Sequence, residues 1–242
     1  MKSLQVRGLS AGYGSLRVLW DIDLEVGRGE VAVVMGPNGA GKSTLLGAIA
    51  GDIRSYCGAV AVDDVELGHA PSTRRLRSGL GWVPEGRNVF SHLSVRDNLL
   101  ISAKLAGRSA EYPQSEAEVF ELFPAMAEKR SALAGTLSGG QQQILAISRM
   151  LVRRPSVALL DEPTVGLAPV IVERLGEAIA ITKKSGIAWV IAEQNLAWLA
   201  GFADRTYVLQ GGRITRSGGP EVLGSREAIR RAFFESTDTS VV

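Results

Sequence analysis

Gly36-Pro37-Asn38-Gly39-Ala40-Gly41-Lys42-Ser43, with Thr44 next, follows directly on the apolar run Val31-Ala32-Val33-Val34-Met35. The spacing is G-x-x-x-x-G-K-[ST], with Gly36, Gly41, Lys42 and Ser43 in the fixed places. Glycines let the backbone curl so that successive N–H groups turn inward onto phosphate oxygens. Lys42 reaches the outer phosphates as a point charge, and the Ser43 hydroxyl is placed to ligate Mg²⁺. The β-branched run before the loop reads as a strand. Thr44 to Ala50 reads as a short helix whose N-terminus faces the anion. A plain turn before a helix would leave the lysine and the hydroxyl at these offsets unexplained.

The rest of the composition narrows the setting. At 242 residues the chain can bury one large core, and 45% hydrophobic with 21% charged residues is ordinary for a globular protein. A net charge of +2 gives no reason to expect a nucleic-acid partner. The run Arg74-Arg75-Leu76-Arg77 reads as a solvated helix face. The longest apolar runs are of five or six residues, too short to span a bilayer, and the first residues carry no signal-peptide pattern. Cys57 is the single cysteine, which fits a reducing compartment, and it reads as a small packing residue. The expectation is a cytoplasmic protein whose membrane role comes through a partner.

Along the chain, β-type runs at 4–9, 18–26, 31–35, 59–62, 80–83, 157–161, 188–192 and 206–210 alternate with helical patterns, which predicts an α/β fold. Val157-Ala158-Leu159-Leu160 and Trp189-Val190-Ile191-Ala192 are apolar on both faces, as buried parallel strands require. The early runs alternate more and carry turn glycines, which suits an antiparallel sheet beside the main one. From about residue 90 to 155 the texture turns helical, opened by the capping-type sequence Ser94-Val95-Arg96-Asp97 and punctuated by Pro113 and Pro124. Gln210-Gly211-Gly212-Arg213 predicts a hairpin, and the residues after Phe234 a disordered tail.

Two further stretches carry chemistry. Val157 to Leu160 leads into Asp161-Glu162, and the end of a buried strand is where an α/β sheet builds its ligand crevice. Asp161 is expected to hold Mg²⁺ with Ser43, and Glu162 to orient and deprotonate an attacking water. Leu137-Ser138-Gly139-Gly140-Gln141 precedes a good helical pattern, so its hydroxyl and N–H groups form a second anion-binding nest.

The loop at Gly36, "LSGGQ" at Leu137 and "LLDEP" at Leu159, in that order, resemble the ATP-binding cassette ATPases over nearly the whole chain. The resemblance implies a P-loop cassette: a mixed, largely parallel sheet core with an antiparallel β subdomain and a helical subdomain. Its parts would be 1–87 and 156–235 for the ATP-binding core, 88–155 for the helices and 236–242 for a flexible tail. It implies ATP and Mg²⁺ as cofactors and two cassettes facing head to tail. Ser138, Gly139, Gly140 and Gln141 of one would then serve ATP held by the other. Tyr13, 23 positions before Gly36, stands where the family places an aromatic that stacks on adenine; its residue type alone suits a core tyrosine equally well.

Three positions depart from the general family pattern. Glu85 stands where a glutamine usually touches Mg²⁺ and the attacking water; it either ligates the metal more strongly or points away and affects only subunit docking. Gln194 replaces a histidine that bonds the γ-phosphate; its amide can donate the same bond but exchanges no proton. Ala168 stands where many cassettes have an aspartate that couples the two sites. With "VPEGR", "LDEPTVGLAP" and "EQN", these departures resemble one subgroup, the second ATP-binding subunit of branched-chain amino acid importers, with urea and amide importers close to it. The subgroup implies a related, non-identical cassette as partner (a homodimer being possible in vitro), two integral-membrane permeases and, indirectly, a solute-binding protein. It implies a peripheral place on the inner face of the cell membrane and no nucleic acid. A P-loop kinase would not need "LSGGQ", and cassettes acting on DNA or ribosomes usually carry a coiled coil or two cassettes in one chain.

Overall fold

The computed structural model describes residues 2–86, 88–193, 196–199 and 201–219. The expectation of a disordered tail after Phe234 falls outside them, as does Gln194. The described chain forms two sheets. Strands β1 (Lys2–Tyr13), β2 (Leu16–Gly27), β4 (Ser55–Val62) and β5 (Val65–Glu66) make an antiparallel sheet in the order β2-β1-β4-β5. Strands β3 (Val31–Met35), β6 (Leu80–Val83), β7 (Val157–Asp161), β8 (Ala188–Ala192), β9 (Arg205–Gln210) and β10 (Arg213–Gly218) make the main sheet, in the order β10-β9-β3-β8-β7-β6. Its neighbours pair in parallel except β9 and β10, which form the expected hairpin around Gly211 and Gly212. The helices are α1 (Lys42–Ala50), α2 (Ser72–Arg77), α3 (Val95–Leu105), α4 (Tyr112–Leu122), α5 (Pro124–Glu128), α6 (Gly139–Leu151), α7 (Pro169–Lys184) and α8 (Leu196–Leu199).

The central strands show why continuous apolar runs were required. In β3, Val31, Val33 and Met35 face a core shared with α3, α4, α6 and α7. Ala32 and Val34 face a second core, which the antiparallel sheet and α1 close. Strand β7 divides in the same way, with Ala158 and Leu160 on one side and Val157 and Leu159 on the other. Side chains of successive strand residues point to opposite faces, so a strand covered on both sides has no position left for a polar residue until its end. Burying each valine, leucine or methionine side chain contributes about 1.5–3 kcal/mol. In β7 that end is Asp161.

The helical stretch starts as the sequence signals: the Ser94 hydroxyl accepts from Asp97 N at 3.0 Å and caps α3. Pro113 and Pro124 lie in the first turns of α4 and α5, where a missing N–H costs nothing.

Two expectations fail. Arg75 is not on a solvated face: it is buried, 2% exposed, while its neighbours Arg74 and Arg77 are exposed. Its guanidinium donates to the carbonyls of Ala48 (3.1 Å), Ile49 (2.7 Å), Gly68 (2.7 Å) and Ala70 (2.9 Å), closing the C-terminal end of α1. Burial pushes its pKa below the usual guanidinium value. Cys57 is exposed and not a packing residue, because it sits on β4 where the antiparallel sheet turns a face outward.

Candidate functional site

The loop after β3 is fixed from two sides. A Cβ on Gly36 would lie 2.3 Å from the Leu209 carbonyl oxygen, so only glycine lets the loop leave β3 alongside β9. Gly41 takes φ 103°, a left-handed conformation that ends the loop and starts α1, with Leu45 N donating to its carbonyl at 2.8 Å. Between them Pro37, Asn38 and Gly39 are exposed, while Ala40 is buried and its carbonyl accepts from Gly212 N at 3.2 Å. Helix α1 has no side-chain cap. The N–H groups of its first turn, from Lys42, Ser43 and Thr44, therefore have the open geometry that receives an anion.

Lys42 is buried, 5% exposed, and lies back along the loop. Its ammonium donates to the carbonyls of Gly36 at 3.0 Å and Pro37 at 3.4 Å, and stands 3.3 Å from Glu162 Oε1. The end of β7 thus meets the loop, with β8 between β7 and β3 in the sheet. Glu162 is a non-glycine residue at φ 43°, and its N–H donates to Ala192 O at 2.8 Å. Such a conformation before a proline costs on the order of 1–3 kcal/mol and persists where surrounding contacts enforce it.

Asp161 is 2% exposed, and its Oδ1 is buried with no hydrogen-bond partner. Burial pushes its pKa above the ordinary carboxylate value; the facing Ser43 hydroxyl opposes that, Glu162 and Glu85 add to it, and the Lys42 charge opposes it. An orphaned buried carboxylate oxygen with a serine hydroxyl beside it fits a divalent cation. Mg²⁺ typically takes one or two protein oxygens and completes its shell with phosphate and water. Among the described residues no three acidic, histidine or cysteine side chains gather as a metal cluster. Glu85 follows β6, is exposed, and lies within electrostatic reach of Asp161.

One contributor was not anticipated. Glu193, at the end of β8, is 2% exposed, and its Oε2 accepts from Thr164 Oγ1 at 2.7 Å and Thr164 N at 3.2 Å. It ties the end of β8 to the turn just after Glu162. The signal in the sequence was a carboxylate ending a second wholly apolar strand, as Asp161 ends β7.

Ser138 starts α6 in a complete capping box. Its hydroxyl accepts from Gln141 N at 3.4 Å, and Gln141 Oε1 accepts from Ser138 N at 3.0 Å and from the Lys129 ammonium at 3.4 Å. Gly139 and Gly140 lie inside the first turn of the helix and not ahead of it. A Cβ on Gly140 would meet Leu167 and Ile171 at ordinary contact distances of 3.6–3.7 Å. Among the described residues no hydrogen bond or ion pair joins Ser138–Gln141 to the loop at 36–44. Ala168 is the N-cap of α7 and offers no side-chain cap. Tyr13 ends β1 with 55% of its surface exposed, which removes the core-tyrosine reading. A cavity of about 790 Å³ lies elsewhere, lined by residues such as Arg28, Leu122, Arg154, Ile181 and Ile187, and includes none of the site residues.

Known proteins share this chain's sequence pattern and fold. The family model described as ABC transporter matches residues 19–165. The high-affinity branched-chain amino acid transport ATP-binding protein BraG of Pseudomonas aeruginosa is 39% identical over 225 residues, 93% of this chain and 96% of that protein. A probable branched-chain amino acid transport ATP-binding protein, LivF of Archaeoglobus fulgidus, is 33% identical over 92% of this chain and 94% of its own. The lipopolysaccharide export system ATP-binding protein LptB of Escherichia coli is 31% identical over 96% of this chain and 97% of its own. Among solved structures, an ATP-binding subunit of an ABC transporter superposes with a TM-score of 0.82 at 28% identity, over 96% of both chains. The ADP conformation of the cassette MJ1267 superposes with a TM-score of 0.80 at 25% identity, over 95% of this chain and 98% of that one.

Proposed function

Because this chain belongs to the ABC transporter family and is one of its ATPases, we propose that it powers uptake of branched-chain amino acids through partner permeases. The relatives named for that transport, BraG and LivF, support the substrate class. The observation that carries the chemistry is the 3.3 Å approach of Lys42 Nζ to Glu162 Oε1 in the phosphate loop. With ATP bound, Lys42 turns from Glu162 to the outer phosphates, and the open N–H groups of Lys42, Ser43 and Thr44 receive the rest of the anion. Glu162, released from its ion pair, takes a proton from the attacking water, whose oxygen bonds to the γ-phosphorus as the bond to ADP breaks. Asp161 and Ser43 would hold Mg²⁺, which when bound would neutralise charge building on the phosphates. Glu85, within electrostatic reach of Asp161, would join that metal site, and Gln194 supplies an amide to the γ-phosphate.

Tyr13 stacks on adenine, and Ser138, Gly139, Gly140 and Gln141 close over ATP held by a facing cassette. That cassette is a related, non-identical chain. Two membrane permeases receive the motion through the helical stretch 88–155, and a solute-binding protein delivers the amino acid. The complex places this subunit on the inner face of the membrane. Among the described residues no helix is long and apolar enough to cross a membrane.

The experiment is ATP-driven uptake by the subunit reconstituted with its permeases in liposomes. Leucine, isoleucine and valine should accumulate, and Glu162→Gln should slow hydrolysis by ~10²–10⁴-fold with nucleotide still bound. An unchanged hydrolysis rate would move the base elsewhere. The 31% identity to LptB favours a second reading, lipopolysaccharide export. Turnover stimulated by lipopolysaccharide, with no amino acid uptake, would select it.

A further inference from the structure

The aromatic ring and the phosphate loop assigned above to one nucleotide sit on different sheets. Tyr13 is at the tip of the β1–β2 hairpin of the antiparallel sheet, and the loop leaves β3 of the main sheet. Both ends of ATP can be gripped together only if the hairpin tip is held at a fixed distance from the loop. The pairing of β1 with β4 runs only to Ala11 and Ser55, two residues short of Tyr13, and an exposed tip beyond it has no intrinsic reason to be so held.

A continuous set of contacts bridges that gap. Gly212 N donates to Ala40 O in the phosphate loop at 3.2 Å, and Gly212 O accepts from Trp20 N at 2.9 Å. The Trp20 ring carries the Arg17 guanidinium 4.8 Å from its centroid, with Arg213 at 5.8 Å from the same ring. Arg17 also lies 5.3 Å from the Tyr56 ring centroid. The Tyr56 hydroxyl donates to Gly14 O at 2.7 Å and stands 3.4 Å from Leu16 O, the two carbonyls that flank the turn after Tyr13. Tyr56 comes from β4, so a third strand pins the hairpin tip. Two and three residues past Leu16, Val18 and Leu19 pack against Gly41, where a Cβ would approach them to 3.3 and 2.9 Å.

We infer that Tyr56, Arg17 and Trp20 are positioning residues for nucleotide binding: together they form a strut that sets Tyr13 at the distance from the phosphate loop that one ATP requires. The inference rests on the reading of Tyr13 as the adenine platform. Its physical content is preorganisation. A tip already in place loses less freedom when the base stacks on it, so the strut enters the affinity for the base and leaves the affinity for the phosphates alone. Each cation–ring contact at an exposed site is weak, and the stack works because it is anchored at both ends by backbone hydrogen bonds.

The test separates base from phosphate. Dissociation constants of ATP and of inorganic tripolyphosphate are measured by calorimetry on the full chain, and their ratio reports what the nucleoside adds. Tyr56→Phe keeps the ring and removes the hydroxyl; Arg17→Gln removes the stacked cation. Each should lower the ratio roughly three- to ten-fold, the worth of one hydrogen bond or a comparable contact, with tripolyphosphate binding unchanged. Tyr13→Ala should lower it at least as far. If Tyr13→Ala lowers the ratio and neither strut variant does, the strut is idle and the inference is wrong. If Tyr13→Ala leaves the ratio unchanged, the reading of Tyr13 itself fails and the strut has nothing to position. Parallel weakening of both ligands by Tyr56→Phe would mean general loosening of the fold, which also overturns the inference.

Discussion

Helices α1 and α6 both start at a glycine with a serine within two positions, yet their first turns are built in opposite ways. Helix α1 starts at a left-handed Gly41 with no side-chain cap, and a buried ammonium stands over its loop, held by backbone carbonyls and Glu162. Helix α6 starts at an extended Ser138 whose hydroxyl, with the Gln141 amide, completes the cap internally. One helix end is unfinished without a ligand; the other is finished and can only be presented whole to something outside. The same residue types thus give a socket in one place and a rigid edge in the other. That division of labour suits the facing pair of cassettes proposed above.

Lys42→Ala should break the contrast most severely, by removing the charge that makes the α1 end a socket. ATP binding or turnover should be lost, read by calorimetry and phosphate release; normal turnover would refute the loop assignment. Gly41→Ala is next. A side chain at φ 103° with its Cβ 2.9 Å from Leu19 Cδ2 should cost on the order of 1–3 kcal/mol of stability in denaturant unfolding. An unfolding midpoint equal to that of the unaltered chain would show that the loop adapts. Ser138→Ala should cost about 1 kcal/mol through the lost cap while leaving ATP binding by the isolated chain intact. If it weakened that binding, Ser138 would belong to the chain's own socket and the contrast would collapse. The smallest effect is expected of Gly140→Ala, which has room and helical geometry and should stabilise the isolated chain by roughly 0.5–1 kcal/mol. Destabilisation instead would point to a strain in α6 absent from its contacts.

Much of this contrast was legible in the residues. Strands β3, β6, β7 and β8 run over the spans expected of them, because a strand buried on both faces must be apolar throughout and betrays itself by composition. Ser94 and Ser138 announced their helices because capping is local, needing partners only three positions ahead. What was missed depended on distant chain. Strand β5 has two residues and exists only because β4 lies beside it. Arg75 sits in a run that reads as solvated, and the four carbonyls that bury it come from residues 48, 49, 68 and 70. Glu193 gave no sign of gripping Thr164, a partner 29 positions earlier.

The sequence by itself determined which groups are available: a glycine-bounded loop with lysine and serine, acids at the end of an apolar strand, a serine-headed helix. These follow from short-range rules of backbone freedom, capping and alternation. Only the tertiary structure decided which of them meet. Sheet order brings Glu162 to within 3.3 Å of Lys42 and leaves Asp161 buried with an oxygen unpaired. It also seats Tyr13 on a hairpin pinned by Tyr56 and completes the α6 cap within its own first turn. Spacing along a chain encodes local geometry, but a contact between residues over a hundred positions apart is set by how whole layers bury their apolar faces.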